Sequence, residues 1–273
     1  MAFQAQEIKQ ILEQNGRSAN KALGQNFCTD TELLKNAVAA AALSSPVLEI
    51  GPGLGALTKE LLDNGLSVYA VEKDAFLADL LPSFFPSEKL KVLQQDILLT
   101  DISSLLCSRD FSVAGNLPYY ITTPILEKIL VLLPSVCLFM VQREAAHRFT
   151  ALPGDRVYGP VSILCSVYYD VQIYADVPRS SYYPQPDVDS RIVLLKRKVI
   201  PDSLPPRTFF RFCEKALSKR RKTLLNNFPD CPEFRDILIH CGLPENIRAE
   251  AVPPDILKKI CLLLESPSDT IRL

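Results

Sequence analysis

The run Val47-Leu-Glu-Ile-Gly-Pro-Gly-Leu-Gly-Ala56 constrains the fold more than any other stretch of this chain. A short β-type run, Val47–Ile50, passes through a glycine turn into Leu54–Asp63, which carries helical spacing. Glycines at such a junction permit a tight turn and let the backbone approach a ligand where side chains would obstruct it. The same alternation continues downstream, with β-type runs at Leu66–Val71, Leu90–Leu93, Phe111–Ala114 and Val136–Val141 and helical stretches between them. Strands alternating with helices predict a parallel sheet covered on both faces.

Upstream, an amphipathic helix is expected over Gln6–Gln14, ending at Asn15-Gly16, and a second over Thr31–Leu43 with Asp30 as N-cap. After His147 the texture changes. Ser162–Val177 and Arg191–Arg197 read as strands around a Pro-rich loop, Val177–Pro186. A proline break at Pro201–Pro206 precedes helical patterns from Thr208 onward and sets an expected boundary between domains at 1–200 and 201–273.

Composition narrows the function class. With 48% apolar and 22% charged residues the 273-residue chain is globular rather than disordered. Its eight cysteines are scattered singly beside only two histidines, so neither a disulfide framework nor a metal site is expected. The N-terminal stretch lacks the form of a secretory signal, and no apolar window is long enough to span a bilayer. The expectation is a cytoplasmic protein without membrane association. The net charge of −1 gives no global hint of a nucleic-acid partner.

The glycine turn alone leaves the ligand open, because Gly51-x-Gly53-x-x-Ala56 also fits a dinucleotide fingerprint. Glu49, two residues before Gly51, and Gly55 complete the pattern E-x-G-x-G-x-G, the S-adenosylmethionine form of this loop. That ligand carries an ammonium and a sulfonium, for which Glu49 offers a carboxylate. Glu72 ends the next β-type run, where a carboxylate accepts hydrogen bonds from ribose hydroxyls; an ion pair with Lys73 is the plainer alternative. Asp96 follows the third run, placed either to accept from an adenine amine or to cap a helix.

Asn116-Leu117-Pro118-Tyr119 follows the fourth run and names the chemistry. An adenine exocyclic nitrogen is a poor nucleophile because its lone pair is delocalised into the ring. Two acceptors for its hydrogens, the Asn116 side-chain oxygen and the Leu117 carbonyl, favour a pyramidal nitrogen. Pro118 stiffens the turn, and Tyr119 can stack on the base, worth about 1–3 kcal/mol. This is preorganisation and positioning, with no nucleophilic side chain required.

These motifs, with Lys21–Phe27, Tyr182–Ser190 and Ser218–Asn227, make the sequence resemble the bacterial small-subunit ribosomal RNA adenine N6,N6-dimethyltransferase family of the KsgA/RsmA type. The resemblance covers almost the whole chain. It implies an α/β fold: a Rossmann-like class I S-adenosylmethionine-dependent methyltransferase domain with a small all-helical C-terminal domain. It also implies that Asn26 and the backbone of Cys28 touch the methionine end of the cofactor. Gly51 would lie beneath it, Glu72 hold its ribose, Asp96 bind its adenine, and Asn116 bridge cofactor and target, with Gly53 of the same turn also expected to bind the cofactor. Tyr182 stands where the family has phenylalanine and is expected to offer a second stacking face. Cys28 replaces a leucine and reads as packing.

Residues 207–227 hold Arg207, Arg211, Lys215, Lys219, Arg220, Arg221 and Lys222 against Glu214 alone, a net of +6 that leaves −7 for the remainder. Helical spacing is expected to place these cations on one exposed face. Arg207, Arg211 and Lys219–Lys222 are therefore expected to contact RNA phosphates. The resemblance implies methylation of two adjacent adenosines near the 3′ end of small-subunit rRNA by a monomer acting on an assembling 30S particle. Competing readings are a large-subunit rRNA dimethyltransferase of the macrolide-resistance type, an assembly checkpoint whose catalysis is secondary, and an NAD-dependent oxidoreductase.

Overall fold

Four consecutive buried residues, Val47–Ile50, form the centre of the sheet around which the first part of the chain is built. The computed structural model describes residues 3–199 and 204–265. These divide into two compact units. One comprises the described residues through Lys128 together with Pro134–Ala146 and Val171–Arg197; the other comprises Ile129–Leu133, His147–Asp170 and the described residues from Lys198 onward.

In chain order the elements begin with α1 (Ala5–Gln14), β1 (Phe27–Cys28), α2 (Thr31–Ala41), β2 (Val47–Ile50), α3 (Ala56–Asp63) and β3 (Val68–Glu72). Next come α4 (Ala75–Phe84), β4 (Leu90–Gln94), α5 (Ile102–Leu106), β5 (Ser112–Asn116), α6 (Thr122–Leu130) and β6 (Val136–Gln142). Then follow α7 (Arg143–Thr150), α8 (Pro160–Tyr168), β7 (Tyr169–Val177), β8 (Tyr182–Tyr183) and β9 (Ser190–Arg197). The last are α9 (Pro206–Leu217), α10 (Phe234–His240) and α11 (Pro254–Glu265).

Local chemistry sets several of these boundaries. Asp30, Asp74 and Asp101 each turn a carboxylate onto a backbone amide at the start of α2, α4 and α5. Ala42 adopts a left-handed conformation and ends α2 before the expected Leu43.

The seven-stranded sheet runs β4-β3-β2-β5-β6-β9-β7, and β1 pairs separately with β8. Strands β2 through β6 are parallel to their neighbours in this order, but β9 runs antiparallel to β6. The strands expected to be parallel are so, and the later strand β9 makes the sheet a mixed one. Chain order reverses at β2, with β3 and β4 on one side and β5 and β6 on the other. Sheets of this kind open a crevice at the carboxyl ends of the strands beside such a reversal.

Two further expectations are corrected. Ser162–Tyr168 belongs to helix α8 rather than to a strand. Pro160 occupies its first turn, and the Gly159 amide donates to Ser162 Oγ at 3.0 Å. Burial of Val161, Ile163, Leu164, Cys165 and Tyr168 removes the polar face that would have revealed a helical period. Helix α9 ends at Leu217, and Ser218–Lys222 form a turn, so the basic segment is not one continuous helix.

Residues 201–203 of the expected proline boundary lie outside the described residues. The second unit also takes up His147–Asp170, because α8 packs on α9 and α11. A run of rings builds its interior: Phe209 stacks on Phe212, Phe212 on Phe228 at 5.4 Å, and Phe228 on Phe234 at 4.2 Å.

Candidate cofactor and target-base site

The carboxyl end of β2 delivers the chain into Gly51, Gly53 and Gly55, all with positive φ. These positions differ in what surrounds them. A side chain at Gly51 would project into open space, whereas one at Gly53 would press on the Phe27 ring at 3.1 Å and one at Gly55 would overlap Phe85 and Leu81. Gly51 therefore floors a cleft, and Gly55 lets α3 pack closely.

That cleft is open to solvent on one side and is lined by Asn26, Cys28, Glu49, Gly51, Gly53, Glu72, Asn116 and Met140, among others. Glu49 is 1% exposed, and neither carboxylate oxygen has a hydrogen-bond partner. Burial raises its pKa to about 8, with nearby Thr58 opposing the rise and the charge of Glu72 adding to it. A buried carboxylate in that state fits a ligand bearing a positive charge, because a cation would supply the missing partner.

Glu72 is also buried, and its burial raises its pKa above the usual carboxylate range. It accepts the Gly53 amide at 3.1 Å and the Asp74 amide at 2.9 Å, so it ties the glycine turn to the end of β3. Asp74 in turn accepts Gln25 Nε2 at 2.9 Å, fixing the segment before β1. Asp96 lies on a smaller neighbouring cleft, which shares Leu23, Gly51 and Pro118 with the first. Its Oδ2 pairs with Lys73 at 2.9 Å, and its Oδ1 accepts the Leu98 amide at 2.9 Å. Lys73 beside it holds this carboxyl below its ordinary pKa. The Lys73 ion pair is thus made with Asp96, not with the adjacent Glu72 that the sequence suggested.

Asn116 closes β5. Its Nδ2 donates to the Asn26 backbone oxygen at 2.9 Å, while its Oδ1 has no partner among the described residues. The Leu117 amide donates to the Met140 carbonyl at 2.9 Å, and the Leu117 side chain is buried, so the turn is anchored from within. Pro118 lines both clefts. Tyr119 is held through its hydroxyl, 2.8 Å from Ser190 Oγ.

Cys28 is buried, and burial pushes its thiol to about 11, which fits packing rather than nucleophilic chemistry. Tyr182 departs from expectation. Its ring is 4% exposed within the core cluster, and its hydroxyl donates to Met140 Sδ at 3.9 Å. The second stacking face is therefore corrected: the added hydroxyl turns inward, and the ring offers no open surface.

Among the basic candidates, Arg207 and Arg211 lie exposed on α9, and Lys219, Arg221 and Lys222 are exposed in the turn that follows. Arg220 is already engaged. Its guanidinium meets Glu250 at 3.1 Å and donates to the Arg156 carbonyl at 2.9 Å, so it braces the second unit. Gln25, Met140 and Ser190 were missed by sequence reasoning, although Gln25 and Ser190 fall within recognised motifs, and Lys73 was weighed only as a partner of Glu72.

The family model for ribosomal RNA adenine dimethylase matches residues 16–264. A protein named ribosomal RNA small subunit methyltransferase A from Geobacillus sp. (strain WCH70) is 39% identical over 80% of this chain and 79% of its own. Its namesake from Bacillus mycoides (strain KBAB4) is 38% identical over 89% of this chain and 90% of its own. The crystal structure of a dimethyladenosine transferase from Plasmodium falciparum superposes with a TM-score of 0.69 at 24% identity, covering 87% of this chain and 96% of that one. The 23S rRNA methyltransferase ErmE superposes with a TM-score of 0.64 at 23% identity, covering 88% of this chain and all of that one. The two superpositions establish the class I methyltransferase fold, and the α/β arrangement expected from the sequence holds. With the family model spanning nearly the whole chain and such relatives covering four fifths of it or more, the protein belongs to the ribosomal RNA adenine dimethylase family, enzymes that draw methyl groups from S-adenosylmethionine.

Proposed function

We propose that this chain dimethylates N6 of two adjacent adenosines near the 3′ end of small-subunit (16S) rRNA, acting as a monomer on an assembling 30S particle in the cytoplasm. The observation that carries the chemistry is the Asn116 amide. Its Nδ2 donates to the Asn26 carbonyl, which fixes the amide's orientation and leaves Oδ1 as an acceptor at the strand end. The choice of subunit rests on the names of relatives 36–39% identical to this chain.

S-adenosylmethionine supplies an electrophilic methyl group on a sulfonium. In our reading Glu49 receives its ammonium, Asn26 and the backbone of Cys28 its methionine end, Gly51 and Gly53 its approach to the turn, Glu72 its ribose and Asp96 its adenine. The Asn116 Oδ1 and the Leu117 carbonyl accept the two hydrogens of the target amine, and Tyr119 stacks on the base. Pro118 keeps these groups in register. Each transfer forms an N–C bond as an S–C bond breaks, and the nitrogen's proton leaves to water, so no dedicated base is needed. In the second transfer only one amine hydrogen remains. One acceptor then suffices, and the first methyl group must occupy the place of the lost hydrogen. Arg207, Arg211, Lys219, Arg221 and Lys222 contact RNA phosphates, while Arg220 shapes the turn that presents the last three.

The test incubates the protein with labelled S-adenosylmethionine and either unmodified small subunits or protein-free 23S rRNA, followed by nucleoside analysis. Dimethyladenosine in the small subunit is the expected product. Label in 23S rRNA alone would overturn the choice of substrate, and absence of dimethyladenosine from both would overturn the reaction.

A further inference from the structure

The turn carrying Asp96 is closed on one side and held from the other. The Asp96 carbonyl accepts the Leu99 and Thr100 amides at 2.9 and 3.1 Å and the Thr100 hydroxyl at 3.0 Å. Its side chain accepts the Leu98 amide at 2.9 Å. The Leu98 and Thr100 carbonyls remain as acceptors. Both are taken by one group: Lys128 Nζ, on α6, donates to Leu98 at 2.8 Å and to Thr100 at 2.7 Å. Apolar packing does not pin the tip of the turn, because Leu99 is 77% exposed. Helix α6 follows directly on the short helical turn Tyr119–Ile121 that ends the target-base motif. Lys128 thus bolts the Asp96 turn to the element that begins at the catalytic asparagine's loop.

We propose that Lys128 is a positioning residue that holds Asp96 in register to read the base of the cofactor. The proposal rests on the reading that Asp96 accepts from the cofactor's adenine amine. Its physical basis is that two backbone acceptors share one charged donor, so removing that donor leaves both unpaired and frees the turn to shift. Displacements of about 1 Å at a polar contact are enough to change recognition strongly. Lys128 does not touch the reacting atoms, so its loss acts on cofactor recognition and leaves the chemical step nearly intact.

The test measures affinity for S-adenosylhomocysteine and for its hypoxanthine counterpart by calorimetry. The hypoxanthine ring presents a C6 carbonyl where adenine presents an amine, so an acceptor would face an acceptor. The wild-type protein is expected to prefer the adenine ligand, and D96A to lose that preference. K128M keeps the aliphatic stem and should bind the adenine ligand about tenfold more weakly, a loss of roughly 1.4 kcal/mol. Its preference should fall toward that of D96A, with kcat at saturating cofactor within about twofold of wild type. K128R, which keeps a charged donor, should regain at least half of the preference, and it reads the same ratio should K128M fail to fold. Wild-type preference in K128M, or no recovery in K128R, would overturn the positioning role. Wild-type preference in D96A would overturn the underlying reading of Asp96, and the proposal with it.

Discussion

Glu49 is a carboxyl group whose folded environment disfavours its charge. Its pKa rises from 4.5 to about 8 on burial, so the folded chain binds this proton more tightly than the unfolded chain. The sign follows directly. Stability from this group is fully present below the unfolded pKa and declines as pH rises from 4.5 toward about 8. A bound cation reverses the preference and expels the proton. Affinity for S-adenosylmethionine should therefore climb between about pH 5.5 and 7, approaching tenfold per unit, with proton release near one. Calorimetry in two buffers of different ionisation enthalpy checks this, and Glu49→Gln, which leaves Glu72 in place, should flatten the slope. An equally steep slope in Glu49→Gln would assign the proton elsewhere. The glycines offer a second contrast. Gly51→Ala places a methyl group in open cleft at φ +63°, so it should cost about 1 kcal/mol of stability while weakening cofactor binding more than tenfold. Gly55→Ala meets Phe85 and Leu81 and should cost about 2–4 kcal/mol. Thermal unfolding and calorimetry on the two variants separate them, and equal stability losses would show that the turn is not divided in this way. At this scale the sequence revealed residue types and their order along the sheet edge. It did not reveal partners: the Asn116–Asn26 bond joins groups 90 positions apart, and Lys73 passes over its neighbour Glu72 to pair with Asp96.

Elements were legible where one period dominated. Strands β2, β3, β5 and β6 are short apolar runs bounded by turn residues, and each was located within one or two positions. Helix α8 was not, because a helix buried on nearly every side shows no polar stripe, and its β-branched residues imitate a strand. The end of α9 was missed for a different reason: good helix formers continue through Ser218–Lys222, but Arg220 is drawn to Glu250 and to the Arg156 carbonyl. That pull is testable on the element itself. Arg220→Ala removes a charged donor from a backbone carbonyl and an ion pair from Glu250 and should cost about 1 kcal/mol. In a chain of this size such a loss lowers Tm by roughly 2–4 °C. Arg221→Ala, with no such partners among the described residues, should leave Tm unchanged. Equal shifts in a melting experiment would show that the turn is held by something other than Arg220.

For the whole molecule, a net charge of −1 conceals a division: +6 within residues 207–227 and −7 in the rest. An average near zero argues against a nucleic-acid partner only if charge is spread evenly, and here it is not. Of the cations in that segment, Arg220 is occupied by protein acceptors, whereas Lys219, Arg221 and Lys222 stand exposed in the same turn. If these three meet phosphates, each releases bound counterions, and affinity becomes steeply dependent on salt without depending on sequence. Replacing the three with glutamine should reduce the slope of log K against log salt by about 2, at roughly 0.7 per contact for single-stranded RNA. The loss should be uniform across unrelated RNAs, Tm should not move, and the site of methylation on the small subunit should be retained, because the groups proposed to recognise the base lie in the Asn116 turn. Filter binding across a salt series, with matched and scrambled RNAs, reads the slope. An unchanged slope would remove these residues from the RNA interface, and a loss confined to the matched RNA would make them readers of sequence instead of phosphate.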